Sequence, residues 1–489
     1  MLLDDIRTER LRKIALMREK GMDPYPAGSA RTHTGARFLA QHDELAASGA
    51  SVALAGRVMS MREHGGSLFI DLFDGTERVQ AYLKQDDMGA AYDDFVAFVD
   101  LGDIIEVRGI AFTTKRGMKS LLASSWTMLA KALRPLPDEW YGIKDEDERY
   151  RKRYIDMLLS RDIAERVKRK SAFWNTCRRF LLDRGFVEVE TPVLETTTGG
   201  AEARPFITHH NALDMEVYLR ISAGELWQKR LMVAGLPKVF EIGRIFRNEG
   251  MSNEHLQDYT QLEFYEAYED YRHGMRMITE LYRAIADGVY GTRQFSIRGF
   301  DVDFDKEWET YDFSQLIMDA YGVDPRDITP ASDVSALLEI LDREGIAYET
   351  GVGAERCVDL LWKKIRKGLG GPGFLVNVPV YLEPLAKKST EDARVVERFQ
   401  VVLGGSENGK GFSELNDPVD QAERFMRQQK LREAGDDEAQ MNDASFVEAL
   451  EYGMPPTFGF GVSERLFSFL EGVSVREAQV FPLLKPRDE

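Results

Sequence analysis

Two runs of strict alternation on either side of a polar loop constrain this chain more than any other feature. They lie in residues 239–271, VFEIGRIFRNEGMSNEHLQDYTQLEFYEAYEDY. In the first run Phe240, Ile242, Arg244 and Phe246 share one face of an extended chain, and Glu241, Gly243, Ile245, Arg247 and Glu249 share the other. In the second, Thr260, Leu262 and Phe264 oppose Tyr259, Gln261, Glu263 and Tyr265. This is the period of two paired strands. The loop between them, residues 248–258, is longer than a hairpin turn needs and carries His255.

The more polar face of this hairpin gathers Arg247, Glu249, Tyr259, Glu263 and Tyr265. Arginine presents its donors in a planar fork matched to phosphate or carboxylate, whereas a buried glutamate needs a cation to offset its desolvation. Taken singly, each belongs to the solvated face of an amphipathic strand. Together they suit a nucleotide beside a cationic small molecule.

The chain has 489 residues, 43% of them hydrophobic, enough core for two or more domains. No apolar run approaches the ~20 residues of a bilayer span. The start, MLLDDIRTERLRKIALMREKG, is a charged amphipathic helix rather than a signal peptide, so the expected compartment is cytoplasmic. Cys177 and Cys357 are too few for a disulfide framework or a Cys-rich zinc site. A net charge of −18 argues against a nonspecific polyanion binder, yet Arg7, Arg10, Arg12, Lys13, Arg18 and Lys20 make a local positive run. That run reads equally as a nucleic-acid contact and as a solvated helix face.

Residues 1–50 read as an N-terminal helical extension, with a Pro- and Gly-punctuated linker and a second helix near residues 36–47. In residues 51–134 five short alternating runs are separated by turns, the pattern of a small β-barrel. Phe69, with Arg62 before it and Gln80 on the next strand, reads either as an aromatic platform with polar edges or as core. Residues 135–160, with Pro135 and Pro137, form a linker, and a helix follows over residues 161–184. FVEVETPVL then reads as a strand stopped at Pro192, and His209 and His210, pointing to opposite faces, read as structural. Residues 290–370 read as a helical insertion or scaffold without chemistry. Gly459 and Gly461 allow backbone to pass close to a ligand, Ser463 caps the following helix, and Arg465 stands in its first turn.

FRNEG, the His-bearing loop and TQLEFYEAYEDY together resemble motif 2 of the class II lysyl-tRNA synthetases of bacterial type. FVEVETPVL resembles that family's motif 1, PPTFGFGVSERLFSFL its motif 3, GGSENGKGFSELND its stretch for metal-bound ATP and the lysine side chain, and residues 51–134 its anticodon-binding domain. The resemblance implies an α+β chain: an N-terminal OB-fold β-barrel followed, in residues 161–489, by a class II antiparallel sheet flanked by helices. It implies a homodimer that ligates L-lysine to tRNA(Lys) through a lysyl-adenylate, using ATP and Mg²⁺. In that family's terms Arg247 bridges the amino-acid carboxylate and α-phosphate, and Arg465 grips the γ-phosphate. Glu249, His255, Tyr259 and Glu407 join them around ATP. Gly200, Glu225, Arg247, Glu263, Tyr265, Phe412 and Glu414 line the lysine, with Glu225 on its α-amino group and Glu263, Tyr265 and Glu414 on its ε-ammonium. Glu407 and Gln400 hold the metal, and Arg62, Phe69 and Gln80 read the anticodon.

The chain departs from the family pattern in places. Gln400 and Lys410 stand for glutamate and asparagine, and Glu254 for a basic residue before the loop histidine. One extra residue precedes Glu225, and motif 3 is one residue short and lacks a third glycine. These departures favour one rival, an OB-fold RNA-binding or regulatory protein with a silent synthetase domain. An aspartyl or asparaginyl ligase shares the architecture but needs a cation where this pocket offers carboxylates. Lysylation of a protein, by a relative lacking the barrel, fits poorly because the barrel is present.

Overall fold

The computed structural model describes residues 3–137, 142–201, 203–329, 332–433 and 439–487. It divides into two compact units, Met1–Leu159 and Ser160–Glu489. Among the described residues no helix is long and apolar enough to cross a membrane.

In the first unit β1 (Ser51–Glu63), β2 (Ser67–Phe73), β3 (Arg78–Lys84), β4 (Ile104–Thr113) and β5 (Lys119–Ala130) close into a barrel in the order β1-β2-β3-β5-β4. Alternate residues such as Leu68, Ile70 and Leu72 point inward, as the period of two requires. The helix Leu3–Glu19 packs Ile14 and Met17 inward. Much of its positive charge is spent within the unit. Arg10 is buried and donates to the carbonyls of Leu101, Ala132 and Arg134, Lys13 pairs with Asp100, and Lys20 pairs with Asp94. Arg7 and Arg18 remain exposed.

Two expectations need correction here. The helix expected over residues 36–47 is two, Gly35–Ala40 and His42–Ser48, the second opening on a buried His42 whose Nε2 lies 3.0 Å from the Phe112 carbonyl. Residues 135–160 hold the helices Glu146–Arg151 and Arg153–Leu159, the first capped by Asp145, and so are more than a linker.

In the second unit the chain forms β6 (Val187–Glu188), β7 (Leu194–Glu195), β8 (Ile207–His210), β9 (Met215–Leu219), β10 (Lys238–Phe246) and β11 (Asp258–Ala267). Next come β12 (Gln294–Ile297), β13 (Phe300–Asp303), β14 (Glu309–Asp312), β15 (Gly373–Val376), β16 (Arg398–Leu403), β17 (Ser406–Ser413) and β18 (Thr457–Ser463). Eight of them make one sheet in the order β14-β15-β16-β17-β18-β11-β10-β6, antiparallel except at its two edges. One face carries Phe240, Leu262, Phe264, Phe399, Phe458 and Phe460 into an apolar core shared with the helices Arg161–Leu182 and Tyr271–Ile285. The opposite face carries the polar residues of the hairpin.

The sequence period therefore assigned the two hairpin faces correctly, and β10 and β11 pair from Lys238↔Glu266 to Phe246↔Asp258. The motif 1 strand is shorter than expected, only Val187–Glu188, because Thr191 leaves the sheet to give its N–H and hydroxyl to buried Glu241. Residues 290–370 are not wholly helical: they supply the β12–β13 hairpin and the edge strand β14. The short motif 3 leaves β18 regular, paired with β11 from Gln261↔Ser463 to Ala267↔Thr457.

Candidate functional site

Strand pairing assembles a charged pocket. Glu263 lies opposite Gly461, and Gly459 lies between Tyr265 on one side and Phe412 on the other. A Cβ at Gly459 would stand 2.0 Å from Glu414 Oε1 and 2.6 Å from the Tyr265 ring, so glycine there leaves room for both side chains. Gly200, at φ +87°, backs onto Glu225, where a Cβ would meet the Glu225 Cβ at 2.6 Å. Glu225, Glu263, Tyr265, Phe412 and Glu414 are all buried.

The chain places one of its own lysines among these acids. Glu225 opens the helix Glu225–Val233, and Lys229, one turn on and fully buried, donates to Glu225 Oε1 at 2.7 Å and pairs with Glu414. Fully ionised, three carboxylates against one ammonium would leave the pocket two negative charges in excess. Burial opposes the charge on Lys229, yet Glu225 and Glu414 hold its pKa above the ordinary lysine value. Glu414 is pushed well up by burial despite Lys229, and its Oε1 accepts no hydrogen bond. Burial, then the negative charge of Glu225, pushes Glu263 up to about 8, although it accepts the Ala223 N–H at 3.0 Å and the Tyr265 hydroxyl at 3.3 Å. Lys229 was missed in the sequence, where its spacing of four from Glu225 was the available signal.

At the other end of the same strands the site turns cationic. The Arg247 guanidinium lies 5.8 Å from the Tyr259 ring centroid, with Nε donating to the Ile221 carbonyl. Arg465 begins the helix Arg465–Leu470 and donates to the backbone carbonyl of Glu407, while its buried Nε has no acceptor. His255 shares a hydrogen bond of 2.8 Å with Ser252. Desolvation holds its pKa below the ordinary value, and Arg465, Arg247 and Arg366 add to that against the opposing charge of Glu254. The Glu249 carbonyl accepts from Gln257, which ties the loop across its base.

The residues expected to hold a metal do not suit one. Glu407 Oε1 accepts the Trp362 indole N–H at 2.6 Å, and its Oε2 pairs with Arg366 at 2.9 Å. Gln400 gives its amide oxygen to Arg398. Both candidate donors are thus turned to N–H groups, and a dication there would sit against two guanidinium groups. Trp362 and Arg366 come from the segment read in the sequence as scaffold.

On the barrel, Phe69 stacks on Tyr82 with centroids 4.4 Å apart and planes at 16°, and Tyr82 lies 5.9 Å from Phe112. All three rings are half-buried on the barrel wall. Arg62 pairs with Asp71 at 3.5 Å, and the Gln80 side-chain amide oxygen accepts from the Ser120 hydroxyl. The sequence offered Phe69 alone. Tyr82 was hidden because the β2–β3 register that sets it opposite Phe69 is a property of the fold.

Residues 145–485 match the family of tRNA synthetases class II (D, K and N), and residues 52–129 match the OB-fold nucleic acid binding domain. The chain is 42% identical to the lysine--tRNA ligase of Thermosipho africanus, over 99% of this chain and 97% of that protein. It is 41% identical to the one of Thermotoga maritima, over 99% and 97%, and 40% identical to the one of Roseiflexus castenholzii over the full length of both. With the barrel, the eight-stranded sheet and the paired acidic and cationic ends of one site in place, the chain belongs to the class II tRNA synthetases of the D, K and N group.

Proposed function

We propose that the chain is a cytoplasmic lysine--tRNA ligase, which activates L-lysine with ATP and passes it to tRNA(Lys). The observation that carries this reading is the excess of two buried carboxyl groups over the single ammonium of Lys229 among Glu225, Glu263 and Glu414. Lysine is the amino acid whose two ammonium groups neutralise that excess, while its carboxylate goes to Arg247. An acidic side chain would meet only carboxylates, which disfavours the aspartyl and asparaginyl ligases.

In this reading Glu225 takes the α-ammonium, and Glu263 with Tyr265 and Glu414 takes the ε-ammonium against the Phe412 ring, beside Gly200. Arg247 brings the lysine carboxylate and the α-phosphate together. An oxygen of that carboxylate attacks the α-phosphorus, the bond to the β-phosphate oxygen breaks, and lysyl-adenylate and pyrophosphate result. The adenylate then loses its acyl group to a terminal hydroxyl of tRNA, releasing AMP. No protein nucleophile is required, because orientation and neutralisation of charge at phosphorus supply the catalysis. Arg465 faces the leaving pyrophosphate, and Tyr259, His255 and Glu249 frame the nucleotide. Magnesium arrives with ATP as part of the substrate, the oxygens of Glu407 and Gln400 being already engaged. Exposed Val187, Val193 and Leu194 in the motif 1 stretch, with Ile207 and Leu213 after it, support a homodimer interface there.

ATP–pyrophosphate exchange run with each of the twenty amino acids tests the reading. Lysine alone should support exchange, and a chain inert with all twenty would instead be the silent RNA-binding protein. Two variants refine the test. Gly459→Ala should push Glu414 and Tyr265 aside, costing ~1–3 kcal/mol in lysine binding with little change in the KM for ATP. Phe69→Ala should remove a stacking partner for an anticodon base and cost roughly 1–3 kcal/mol in tRNA aminoacylation. Adenylate formation should stay intact, and equal losses in both assays would make Phe69 core instead.

A further inference from the structure

We propose that Arg366 is a nucleotide-binding residue, receiving the β- and γ-phosphates of ATP together with Arg465 where the family resemblance puts a carboxylate-bound magnesium ion. Glu407 then positions Arg366 and holds no metal. The proposal rests on the ligase reading for the identity of the nucleotide.

Four observations converge on it. Trp362 and Arg366 stand four residues apart at the end of the helix Ala354–Ile365 and its single-turn continuation, so both reach Glu407 from one side and occupy its two oxygens. Arg366 Nε and Arg465 Nε are both buried donors without an acceptor, and Arg465 also contacts the Glu407 carbonyl. Two guanidinium groups beside one residue, each with a donor to spare, make a cradle for a polyanion. The third observation concerns Glu254, which stands where the family carries a basic residue. Its carboxylate is tied to Arg298 at 2.6 Å and to the Ser406 hydroxyl at 2.7 Å, so this position offers no positive charge to a phosphate. The fourth is the neighbourhood of Gln400. Arg398 and Lys410 share Glu383, and Arg398 also takes the Gln400 amide oxygen.

The departures at Gln400, Lys410 and Glu254 then form one rearrangement. Carboxylates that would draw a dication to this end of the site are neutralised or replaced, and an arginine supplied by a distant helix takes the role. An arginine is always charged and presents its fork to two phosphate oxygens at once, so it stabilises departing pyrophosphate without an ion having to bind first.

The test uses the full-length chain, without lysine, and a non-hydrolysable ATP analogue. Calorimetry gives the nucleotide Kd, and electron paramagnetic resonance counts bound Mn²⁺ in place of Mg²⁺. The wild type should hold only the single Mn²⁺ that the nucleotide brings. Arg366→Ala should raise the nucleotide Kd roughly ten- to a hundredfold, and Arg366→Lys less. Glu407→Gln should weaken the nucleotide as Arg366→Ala does while leaving the Mn²⁺ count unchanged. A second Mn²⁺ in the wild type that disappears in Glu407→Gln, with nucleotide binding normal in Arg366→Ala, would overturn the proposal. Circular dichroism checks that each variant folds, and Arg366→Lys decides the matter if Arg366→Ala does not. Absence of lysine-dependent exchange in the wild type would sink the ligase reading without altering these binding measurements.

Discussion

Lys229→Met is expected to destabilise the catalytic unit by about 3–5 kcal/mol, because it leaves Glu225 and Glu414 buried side by side without their cation. Methionine keeps the length and packing of the side chain, so the loss isolates the charge. The folded variant can relieve itself only by taking up protons on the carboxyls. A carboxyl whose pKa is raised on folding binds more protons in the native than in the unfolded state, so stability falls as pH rises. Glu263 already behaves in this way, raised from 4.5 to about 8, and its contribution to stability declines across that window. In Lys229→Met the deficit should therefore be larger at pH 8 than at pH 5. Urea unfolding at the two pH values measures it, and a variant within about 1 kcal/mol of wild type at both would show that the ion pair is not what holds this pocket.

The second large effect is expected on activity. Glu263→Gln keeps shape and hydrogen bonding but removes a charge from the proposed ε-ammonium site, and should cost lysine-dependent exchange ~2–5 kcal/mol. Glu414→Gln should cost a similar amount and also lower stability, since Lys229 loses a partner. The pH dependence distinguishes binding from structure. Lysine must meet an ionised Glu263, which takes up a proton below about 8, so kcat/KM for lysine should fall with acidification through neutral pH, up to about tenfold per unit. Glu263→Gln should flatten that slope. A wild-type profile already flat between pH 6 and 8, with Glu263→Gln fully active, would remove Glu263 from the site.

The sequence reached far into this protein where local pattern dictates structure. Alternation across residues 239–267 separated Phe240, Leu262 and Phe264 from Glu263 and Tyr265, because a period of two leaves each side chain a single face. Five alternating runs between turns told of the barrel for the same reason. What escaped depends on contacts between distant segments. The helical patterning of residues 290–370 carried no sign that Trp362 and Arg366 meet Glu407. Most of the N-terminal basic run, legible as charge, became structural once Arg10, Lys13 and Lys20 found partners in the barrel unit. The short strand before Pro192 and the first helix within residues 135–160 were misjudged because side chains set their limits, Thr191 donating to Glu241 and Asp145 accepting the Glu148 N–H.

Placing both ends of the site on the same strands gives the sheet the properties of a ruler. Glu263 and Tyr259 lie four residues apart on β11, roughly 13 Å at strand spacing. Neighbouring strands hold that interval rigid through the pairs Glu263↔Gly461 and Gln261↔Ser463. Lysine and nucleotide together would fill that interval, and within it Arg247 and Glu263, both carried by the hairpin, would set the separation between the lysine carboxylate and its terminal ammonium. Ornithine, one methylene shorter, should reach one anchor or the other but not both, a shortfall worth ~1–3 kcal/mol against lysine. Length selection of this kind needs no side chain that touches the methylenes, so it should survive substitution of the apolar residues around the pocket so long as the strand register is kept.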